Sequence, residues 1–237
     1  MICVSLMMKE VDDLLSTVRQ TNGLQMVEVR LDSLALQPSD LARIFSQPAV
    51  PMIATFRPGA IAESARAQTL IAAIQAGAAY VDVEIEAASE FKNSVIKAAR
   101  EHGCKVIVSY HNFEFTPLPQ VLSQIIADCF ASGADIAKIA CMARNRRDSA
   151  RLLGLLDDER TIVPIGMGEE GQITRVFGPL LGAPFTFAAI SDTACTAPGQ
   201  YPLEQLRNIY NLCSQLGEIK YIPPKGERPI AQRETGE

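Results

Sequence analysis

Histidine, tryptophan and long apolar runs are scarce or absent in this chain of 237 residues, which contains two histidines and no tryptophan. Because only His102 and His111 supply imidazoles, a zinc site built on several histidines is excluded. The longest apolar runs are far shorter than the roughly 18 residues that a membrane-spanning helix needs. The chain also opens on the strand-like ICVSLM and not on a basic secretory leader. We therefore expect a cytoplasmic protein that binds neither a metal nor a membrane.

Basic residues are also few. Lysine and arginine total 22 against 27 aspartates and glutamates, which gives a formal net charge of -5. The longest basic run is a pair, Arg146 and Arg147, whereas a nucleic-acid surface needs a basic patch or stripe. We therefore expect no nucleic-acid partner. The apolar fraction of 48% is sufficient for one large hydrophobic core.

The six cysteines form no CxxC pair, which is the spacing typical of redox and zinc motifs. Most of them lie in apolar stretches, where a thiol behaves as a small hydrophobic group. In a cytoplasmic protein we expect all six to remain reduced.

Strand-like and helix-like patterns alternate along the chain. Apolar, β-rich runs predict eight strands, at 2–7, 25–31, 51–56, 79–85, 104–110, 135–140, 161–166 and 184–190. The first strand lacks the GxGxxG of a dinucleotide-binding fold, so eight strand–helix units favour a (β/α)8 TIM barrel over a doubly wound sheet. We predict an α/β protein with one barrel domain over residues 1–216. The charged, proline-bearing segment 217–237 is expected to be a flexible tail or a severed linker.

Two predicted strands carry charged residues that alternate with apolar ones. Strand 2 contains Glu28, Arg30 and Asp32, and strand 4 contains Asp82 and Glu84. The two-residue period places these side chains on the inner face of the barrel, with the apolar residues toward the helices. Because an isolated buried charge is costly, the charges must either pair with one another or meet a polar ligand. The pattern leaves both interpretations open.

Strand 6 contains Lys138, whereas the other six lysines fall on helices, at strand starts or in the tail. Burial favours the neutral amine, which attacks carbonyl carbon and forms a Schiff base. The alternative is a purely structural ion pair between Lys138 and Glu84 or Glu28. Strand 5 ends with His111 at the mouth of the barrel, where active sites of this fold lie.

The predicted loops after strands 3, 7 and 8 carry further polar residues. Arg57 follows strand 3, where a surface role and a ligand role remain open. After strand 7 a glycine-rich loop leads into a helix with Arg175, and barrels often bind an anion there. After strand 8 an A-P-G turn precedes Gln200. Arg175, Thr196 and Gln200 together suit a substrate carboxylate, although a plain surface loop is the alternative.

Taken in order, these motifs resemble the type I 3-dehydroquinate dehydratases, the Schiff-base enzymes of the shikimate pathway. The resemblance covers about residues 2–213 and rests on VSLM, E-V-R-x-D, T-F-R, D-x-E, S-x-H-x-F, A-K-I-A, M-G-x-x-G-x-x-T-R and A-P-G-Q, each on or after its expected strand. Each motif alone is weak, but eight in the expected order are specific.

The resemblance implies elimination of water from 3-dehydroquinate to give 3-dehydroshikimate, with no metal or organic cofactor. Lys138 would form an imine with the C3 carbonyl. His111 would remove the C2 proton and later protonate the departing C1 hydroxyl, with Glu84 orienting its ring.

The resemblance also implies a set of substrate contacts and a homodimer. Glu28, Arg30 and Arg57 would bind the ring hydroxyls. Arg175 and Gln200 would bind the carboxylate. Met167 and Phe187 would pack against the ring. Ser5 and Thr196 complete the implied substrate-binding set, and Thr196 stands where relatives carry serine, which predicts altered affinity. The tail lies where some relatives continue into shikimate dehydrogenase, and the N-terminal hairpin of some relatives is missing.

Two other functions remain open at this point. A class I aldolase also uses a lysine imine in a barrel, and would turn over a phosphosugar. A non-catalytic sensor of quinate-like metabolites would need Arg30, Arg175 and Gln200 but not Lys138 or His111.

Overall fold

The computed structural model describes residues 1–37, 39–46 and 48–215, so the predicted tail lies outside the described residues. Strands and helices alternate throughout this part of the chain. The strands are β1 Ile2–Leu6, β2 Met26–Arg30, β3 Met52–Thr55, β4 Tyr80–Glu84, β5 Lys105–Asn112, β6 Ile136–Met142, β7 Ile162–Met167 and β8 Thr186–Ala189. The helices are α1 Val11–Gln20, α2 Asp40–Phe45, α3 Glu63–Gln75, α4 Ser89–Glu101, α5 Pro119–Ala131, α6 Arg146–Gly154, α7 Gln172–Leu180 and α8 Leu203–Gln215.

The eight strands form one parallel sheet in the order β7-β6-β5-β4-β3-β2-β1-β8. The first and last strands of this order, β7 and β8, bring Ile165 and Phe187 into the same interior cluster. The sheet is therefore a nearly closed barrel surrounded by helices, and the predicted (β/α)8 fold is confirmed.

Alternation along each strand separates two apolar cores. Val27 and Val29 of β2 lie in the large cluster between the strands and the helices. Met26 lies in a second cluster inside the barrel, and Glu28 shares its side of the strand. The predicted inward orientation of the β2 charges follows from this two-residue period.

The observed strands differ from the predicted ones by one or two residues at their ends, and two of these differences affect the site. β5 runs on to Asn112, so His111 belongs to the strand itself. β2 ends at Arg30, and Leu31–Ser33 form a 3-10 turn in place of the predicted continuation. The alternation predicted through Asp32 is therefore wrong, and Asp32 reaches Arg30 from the turn by a bidentate ion pair.

Membrane-spanning helices, clusters of metal ligands and disulfides are absent from the described residues. Within these ranges no helix combines the length and apolarity needed to cross a membrane. The same residues contain no group of three or more His, Cys, Asp or Glu arranged to hold a metal ion. All six cysteines are free thiols.

Candidate active site

A cavity of about 510 Å³ lies at the carboxyl ends of the strands. Of the twelve predicted site residues, only Ser5 does not line this cavity. The Ser5 hydroxyl instead donates a hydrogen bond to Glu28 Oε2. The other eleven are brought together in the cavity wall: Glu28, Arg30, Arg57, Glu84, His111, Lys138, Met167, Arg175, Phe187, Thr196 and Gln200.

Lys138 is buried within β6, and its ammonium has two carboxylate neighbours. Nζ lies 3.1 Å from Asp82 Oδ2 and 3.7 Å from Glu28 Oε1. It also lies 4.3 Å from the centroid of the Phe187 ring. Of the two partners that the sequence suggested, Glu28 is present, whereas Glu84 is replaced by Asp82. Lys138 is thus held at the floor of the cavity between two strands.

Arg57 joins the two carboxylates of β4. Its guanidinium donates to Asp82 Oδ1 and Oδ2 at 2.9 and 3.0 Å, and to Glu84 Oε1 at 2.6 Å. Burial alone would raise the pKa of Asp82, but Arg57 and then Lys138 hold it well below its usual range. Asp82 therefore stays ionised, and Arg57 is part of a buried charge network and not a surface residue.

Glu84 has two arginine partners on opposite sides. Oε1 accepts from Arg57, and Oε2 accepts from Arg66 Nη2 at 2.9 Å. Arg66 reaches this position from α3 and also donates to the carbonyl of Phe56 at 2.9 Å. Among the described residues Glu84 makes no hydrogen bond to His111, so its predicted orienting role stays a prediction.

His111 stands at the mouth of the cavity, where its ring stacks on Phe113 at a centroid distance of 6.2 Å. Burial, followed by the nearby charges of Arg57 and Lys138, holds the pKa of His111 well below its usual value. The imidazole is therefore neutral near pH 7. In the described part of the chain no hydrogen bond fixes the ring, so its two nitrogens are available to a ligand.

Glu28 and Arg30 of β2 are both paired in the structure. Glu28 Oε1 accepts from the Thr55 hydroxyl at 3.0 Å, while Oε2 accepts from Ser5. Arg30 forms a bidentate pair with Asp32 at 2.9 and 2.7 Å. The ion-pair interpretation of strand 2 therefore holds for Arg30 and Asp32, and both Glu28 and Arg30 still line the cavity.

Arg175 of α7 is a buried cation of a different kind. Its side chain is 1% exposed, and among the described residues it has no carboxylate partner. Nη1 and Nη2 make long contacts of 3.4 Å to the carbonyls of Phe187 and Pro198, and Nε has no partner among the described residues. Burial lowers the pKa of Arg175 to about 10, which leaves it charged at neutral pH. A buried positive charge without a counter-ion suits an anionic ligand.

The loop after β8 supplies a neutral donor, the Gln200 side-chain amide, beside Arg175. Gln200 Oε1 accepts from the backbone N–H of Thr196 at 2.8 Å and from its hydroxyl at 3.1 Å. These bonds occupy the oxygen of the side-chain amide and leave its nitrogen as the donor available to a ligand. Thr196 and Gln200 therefore lie with Arg175 in the lining of the same cavity, and their role as a carboxylate pocket stays a prediction.

The glycine-rich loop after β7 makes close contacts with the loop after β8. The amides of Gly168 and Gly171 donate to the carbonyls of Pro198 and Gly168 at 3.2 and 3.1 Å, so these two do not face a ligand. Gly199 packs so closely that a Cβ there would lie 2.4 Å from the Gly168 carbonyl oxygen. Its φ of 74° also favours glycine. This loop therefore holds the β8–α8 loop in place over the cavity.

A sequence model of the family described as Type I 3-dehydroquinase matches residues 2–217. This chain belongs to the type I 3-dehydroquinase family. The resemblance that the motifs indicated is thereby confirmed, and the charged cavity is the candidate active site of a member of this family of hydro-lyases.

Individual relatives agree with this assignment. The 3-dehydroquinate dehydratase of Methanosarcina barkeri is 35% identical over 207 residues, which are 80% of this chain and 86% of the relative. A bifunctional 3-dehydroquinate dehydratase/shikimate dehydrogenase of Arabidopsis thaliana is 33% identical over 222 residues, which are 89% of this chain and 37% of the relative. The crystal structure of the type I 3-dehydroquinate dehydratase of Clostridium difficile with covalently modified comenic acid has a TM-score of 0.81 and 25% identity, and covers 91% of this chain and 92% of its own.

The cavity of this type I 3-dehydroquinase also contains residues that sequence reasoning missed. Glu86 and Phe113 line it from the ends of β4 and β5, each two residues beyond a predicted site residue on the same face. That two-residue spacing could have identified both residues. Phe113 is also the last residue of the S-x-H-x-F motif, in which it had no assigned role. Arg66 carried no such pattern, because it lies on a helix and reaches Glu84 only in the folded barrel.

Proposed function

We propose that this chain eliminates water from 3-dehydroquinate to give 3-dehydroshikimate, in the shikimate pathway, through a Schiff base on Lys138. The observation that carries this proposal is that a buried lysine and Arg175 line one cavity, and that Arg175 has no carboxylate partner among the described residues. A keto acid presents a carbonyl to the first group and a carboxylate to the second. The family membership of the chain supports the same substrate.

Substrate binding begins at the carboxylate. Arg175 supplies its positive charge, and the Gln200 amide nitrogen supplies a neutral donor beside it, while Thr196 holds the amide oxygen. Glu28, Arg30 and Arg57 hold the ring hydroxyls from the opposite wall, with Ser5 fixing the Glu28 carboxylate from below. Met167 and Phe187 pack on the faces of the ring and exclude water from it.

Covalent chemistry then takes place at Lys138. The Lys138 ammonium first gives up a proton, and the neutral amine adds to the C3 carbonyl carbon. Return of that proton lets the carbonyl oxygen leave as water, which leaves a protonated imine. The positive nitrogen accepts the electron pair that is released when C2 loses its proton. Asp82 and Glu28 keep Lys138 in place for the attack and offset the positive charge of the imine.

His111 transfers the protons. Its lowered pKa keeps the ring neutral, so it can accept the C2 proton and form an enamine. The same imidazolium then protonates the C1 hydroxyl, which departs as water while the imine re-forms. Hydrolysis of that imine releases the product and restores the amine. We propose that Glu84 orients His111 once Arg57 has turned toward the substrate hydroxyls.

Borohydride trapping tests the covalent step. The wild-type protein is incubated with 3-dehydroquinate and reduced, and the modified peptide is identified by mass spectrometry. We expect a substrate- or product-sized adduct on Lys138, together with formation of 3-dehydroshikimate. Lys138→Ala should lose both, whereas Lys97→Ala, which removes an exposed lysine on α4, should keep both.

Other outcomes identify the alternatives. Product without any adduct would mean elimination by a route that does not use an imine. Binding of 3-dehydroquinate without adduct or product would support the metabolite sensor. Turnover of a phosphosugar, but not of 3-dehydroquinate, would support the class I aldolase.

We also propose that the protein works in the cytoplasm as a homodimer and needs no metal or organic cofactor. The chemistry supports the last point, since the lysine imine supplies the electron sink and His111 the proton transfers. Extensive dialysis against EDTA should therefore leave kcat unchanged. A loss of kcat that added metal restores would contradict this part of the proposal.

A further inference from the structure

Helix α7 contains a proline where the carbonyl of Arg175 needs a donor. In an α-helix the carbonyl of residue i accepts from the N–H of residue i+4. The residue four positions after Arg175 is Pro179, which lies inside α7 and has no N–H. The proline ring also crowds the carbonyl four residues before it. The sequence of α7 thus removes the regular helical hydrogen bond from Arg175.

Tyr210 of α8 supplies a hydrogen bond to this carbonyl. Its hydroxyl donates to the Arg175 carbonyl oxygen at 2.8 Å, across 35 residues of chain. Burial raises the pKa of Tyr210, so the phenol remains protonated and remains a donor throughout the physiological range. Pro179 and Tyr210 lie together in the wall of a second cavity, at the opposite end of the barrel from the active site.

The backbone of Arg175 matters because its side chain is weakly held. The two contacts of the guanidinium to protein carbonyls are both 3.4 Å long, and Nε has no partner within the described ranges. A normal N–H···O bond is roughly 0.4 Å shorter. The position of the guanidinium in the cavity is therefore set mainly by packing and by the backbone from which it projects.

We propose that Tyr210 is a positioning residue for Arg175: its hydroxyl replaces the hydrogen bond that Pro179 removes, and so aligns the guanidinium with the substrate carboxylate. This inference rests on the proposed function, in which Arg175 binds that carboxylate. Tyr210 contacts α7 on the side away from the active site, so it acts on the Arg175 side chain only through the helix backbone.

The test first removes the Tyr210 hydroxyl. It then lets residue 179 of α7 donate to the Arg175 carbonyl in its place. Tyr210→Phe should raise KM for 3-dehydroquinate about 3- to 10-fold, the range expected from one hydrogen bond, with kcat within about 2-fold of wild type. Pro179→Ala introduces an N–H that can reach the Arg175 carbonyl. In the double variant Tyr210→Phe/Pro179→Ala, KM should therefore return to within about 2-fold of the KM of Pro179→Ala alone.

Two comparisons separate positioning from general damage to the fold. Tyr110→Phe removes a hydroxyl that contacts Asn112 instead, and should leave KM within about 2-fold of wild type. A partly unfolded Tyr210→Phe protein would show reduced kcat at unchanged KM, because the active fraction falls while each active molecule binds normally. That result, or a wild-type KM in Tyr210→Phe, would overturn the inference. A raised KM that Pro179→Ala does not restore would also overturn it.

A binding measurement keeps this test separate from that of the proposed function. In a Lys138→Ala background, Kd for 3-dehydroquinate measured by calorimetry should show the same loss with Tyr210→Phe and the same recovery with Pro179→Ala. If the wild type turns over 3-dehydroquinate but neither KM nor Kd responds to Tyr210→Phe, only the present inference fails. If the wild type neither binds nor converts 3-dehydroquinate, both fail.

Discussion

At the scale of single residues, the proposed chemistry depends on the balance of charges around Lys138. Asp82 lies 3.1 Å from Nζ and Glu28 lies 3.7 Å away, while Arg57 shares the Asp82 carboxylate. Burial lowers the pKa of His111, and the nearby charges of Arg57 and Lys138 lower it further. The cavity thus contains a lysine held by carboxylates together with a neutral imidazole, as the proposed mechanism requires.

The acid side of the pH profile should reflect His111. A free histidine titrates near 6.5, and the environment of His111 lowers that value, so the neutral base persists as the pH falls through 6.5. We expect kcat/KM to stay constant from pH 8 to below pH 6.5 and to decline only at lower pH. A profile that falls with a midpoint at or above 6.5 would contradict this assignment.

Replacing the base should separate imine formation from proton transfer. His111→Ala should still form the borohydride-trappable adduct on Lys138 but should lower kcat about 10²- to 10⁴-fold, the usual contribution of a general acid–base. His102→Ala is the control, since His102 contacts the Ala98 carbonyl at the end of α4. A kcat close to wild type in His111→Ala would mean that another group is the base.

At the scale of elements, two segments outside the strands hold the cavity in shape. Helix α3 contributes Arg66, which pairs with Glu84 from behind the barrel wall. The loop after β7 supports the loop after β8 through the Gly168–Pro198 hydrogen bond and the close packing of Gly199. The strands position Glu84, His111 and Lys138, whereas these two segments hold Glu84 from outside the barrel and support the loop that carries Gln200.

Loss of Arg66 should destabilise the fold. The side chain is 3% exposed, so Arg66→Met would leave Glu84 buried with one cation fewer. Breaking a buried pair in this way costs roughly 3 to 5 kcal/mol. The half-exposed pair of Arg100 and Asp135 provides the control, and Arg100→Met should cost no more than about 1 kcal/mol. Denaturant unfolding measures both, and equal losses would contradict the structural role of Arg66.

Gly199 should matter for substrate binding as well as for stability. Gly199→Ala places a Cβ against the Gly168 carbonyl and must displace the loop that carries Thr196 and Gln200. The matched control is Gly103→Ala, whose φ of 68° is similar but whose Cβ would meet nothing within 4 Å. Both variants should lose about 1 to 2 kcal/mol of stability from the left-handed backbone. Only Gly199→Ala should raise KM, and an unchanged KM there would show that the loop does not position the carboxylate pocket.

At the scale of the whole molecule, the barrel brings one side of every strand to a common interior. The carboxyl ends of eight parallel strands meet at one rim, so residues from β2, β4, β5 and β6 enclose the same cavity. The opposite rim contains the second cavity, with Pro179 and Tyr210 in its wall. Helix α7 lies between the two cavities. Its Arg175 guanidinium lines the active-site cavity, and its Pro179 lines the second cavity.

The assembly of the protein remains a prediction from the family resemblance. We expect light scattering coupled to size exclusion to give twice the 25.7 kDa mass of the chain at micromolar concentration. A mass equal to that of a single chain, unchanged across a hundredfold range of concentration, would show that the predicted homodimer is wrong.

The sequence by itself determined the order of strands and helices in this protein and which side of each strand faces the barrel interior. A strand repeats every two residues, so the inward positions of Glu28, Asp82 and Glu84 follow from local pattern alone. The order of the motifs, each at its strand end, was likewise sufficient to identify the family, since parallel strands in a barrel share one functional rim. Local steric and hydrophobic periodicity carries this information before any distant contact forms.

Only the tertiary structure decided which groups are partners. Lys138 meets Asp82 across 56 residues, Arg66 reaches Glu84 from the outside of the wall, and Tyr210 meets the backbone of Arg175 from the next helix. None of these contacts has a sequence spacing that predicts it. Each depends on closure of the barrel, which sets the distance between strands and helices that are far apart in the chain.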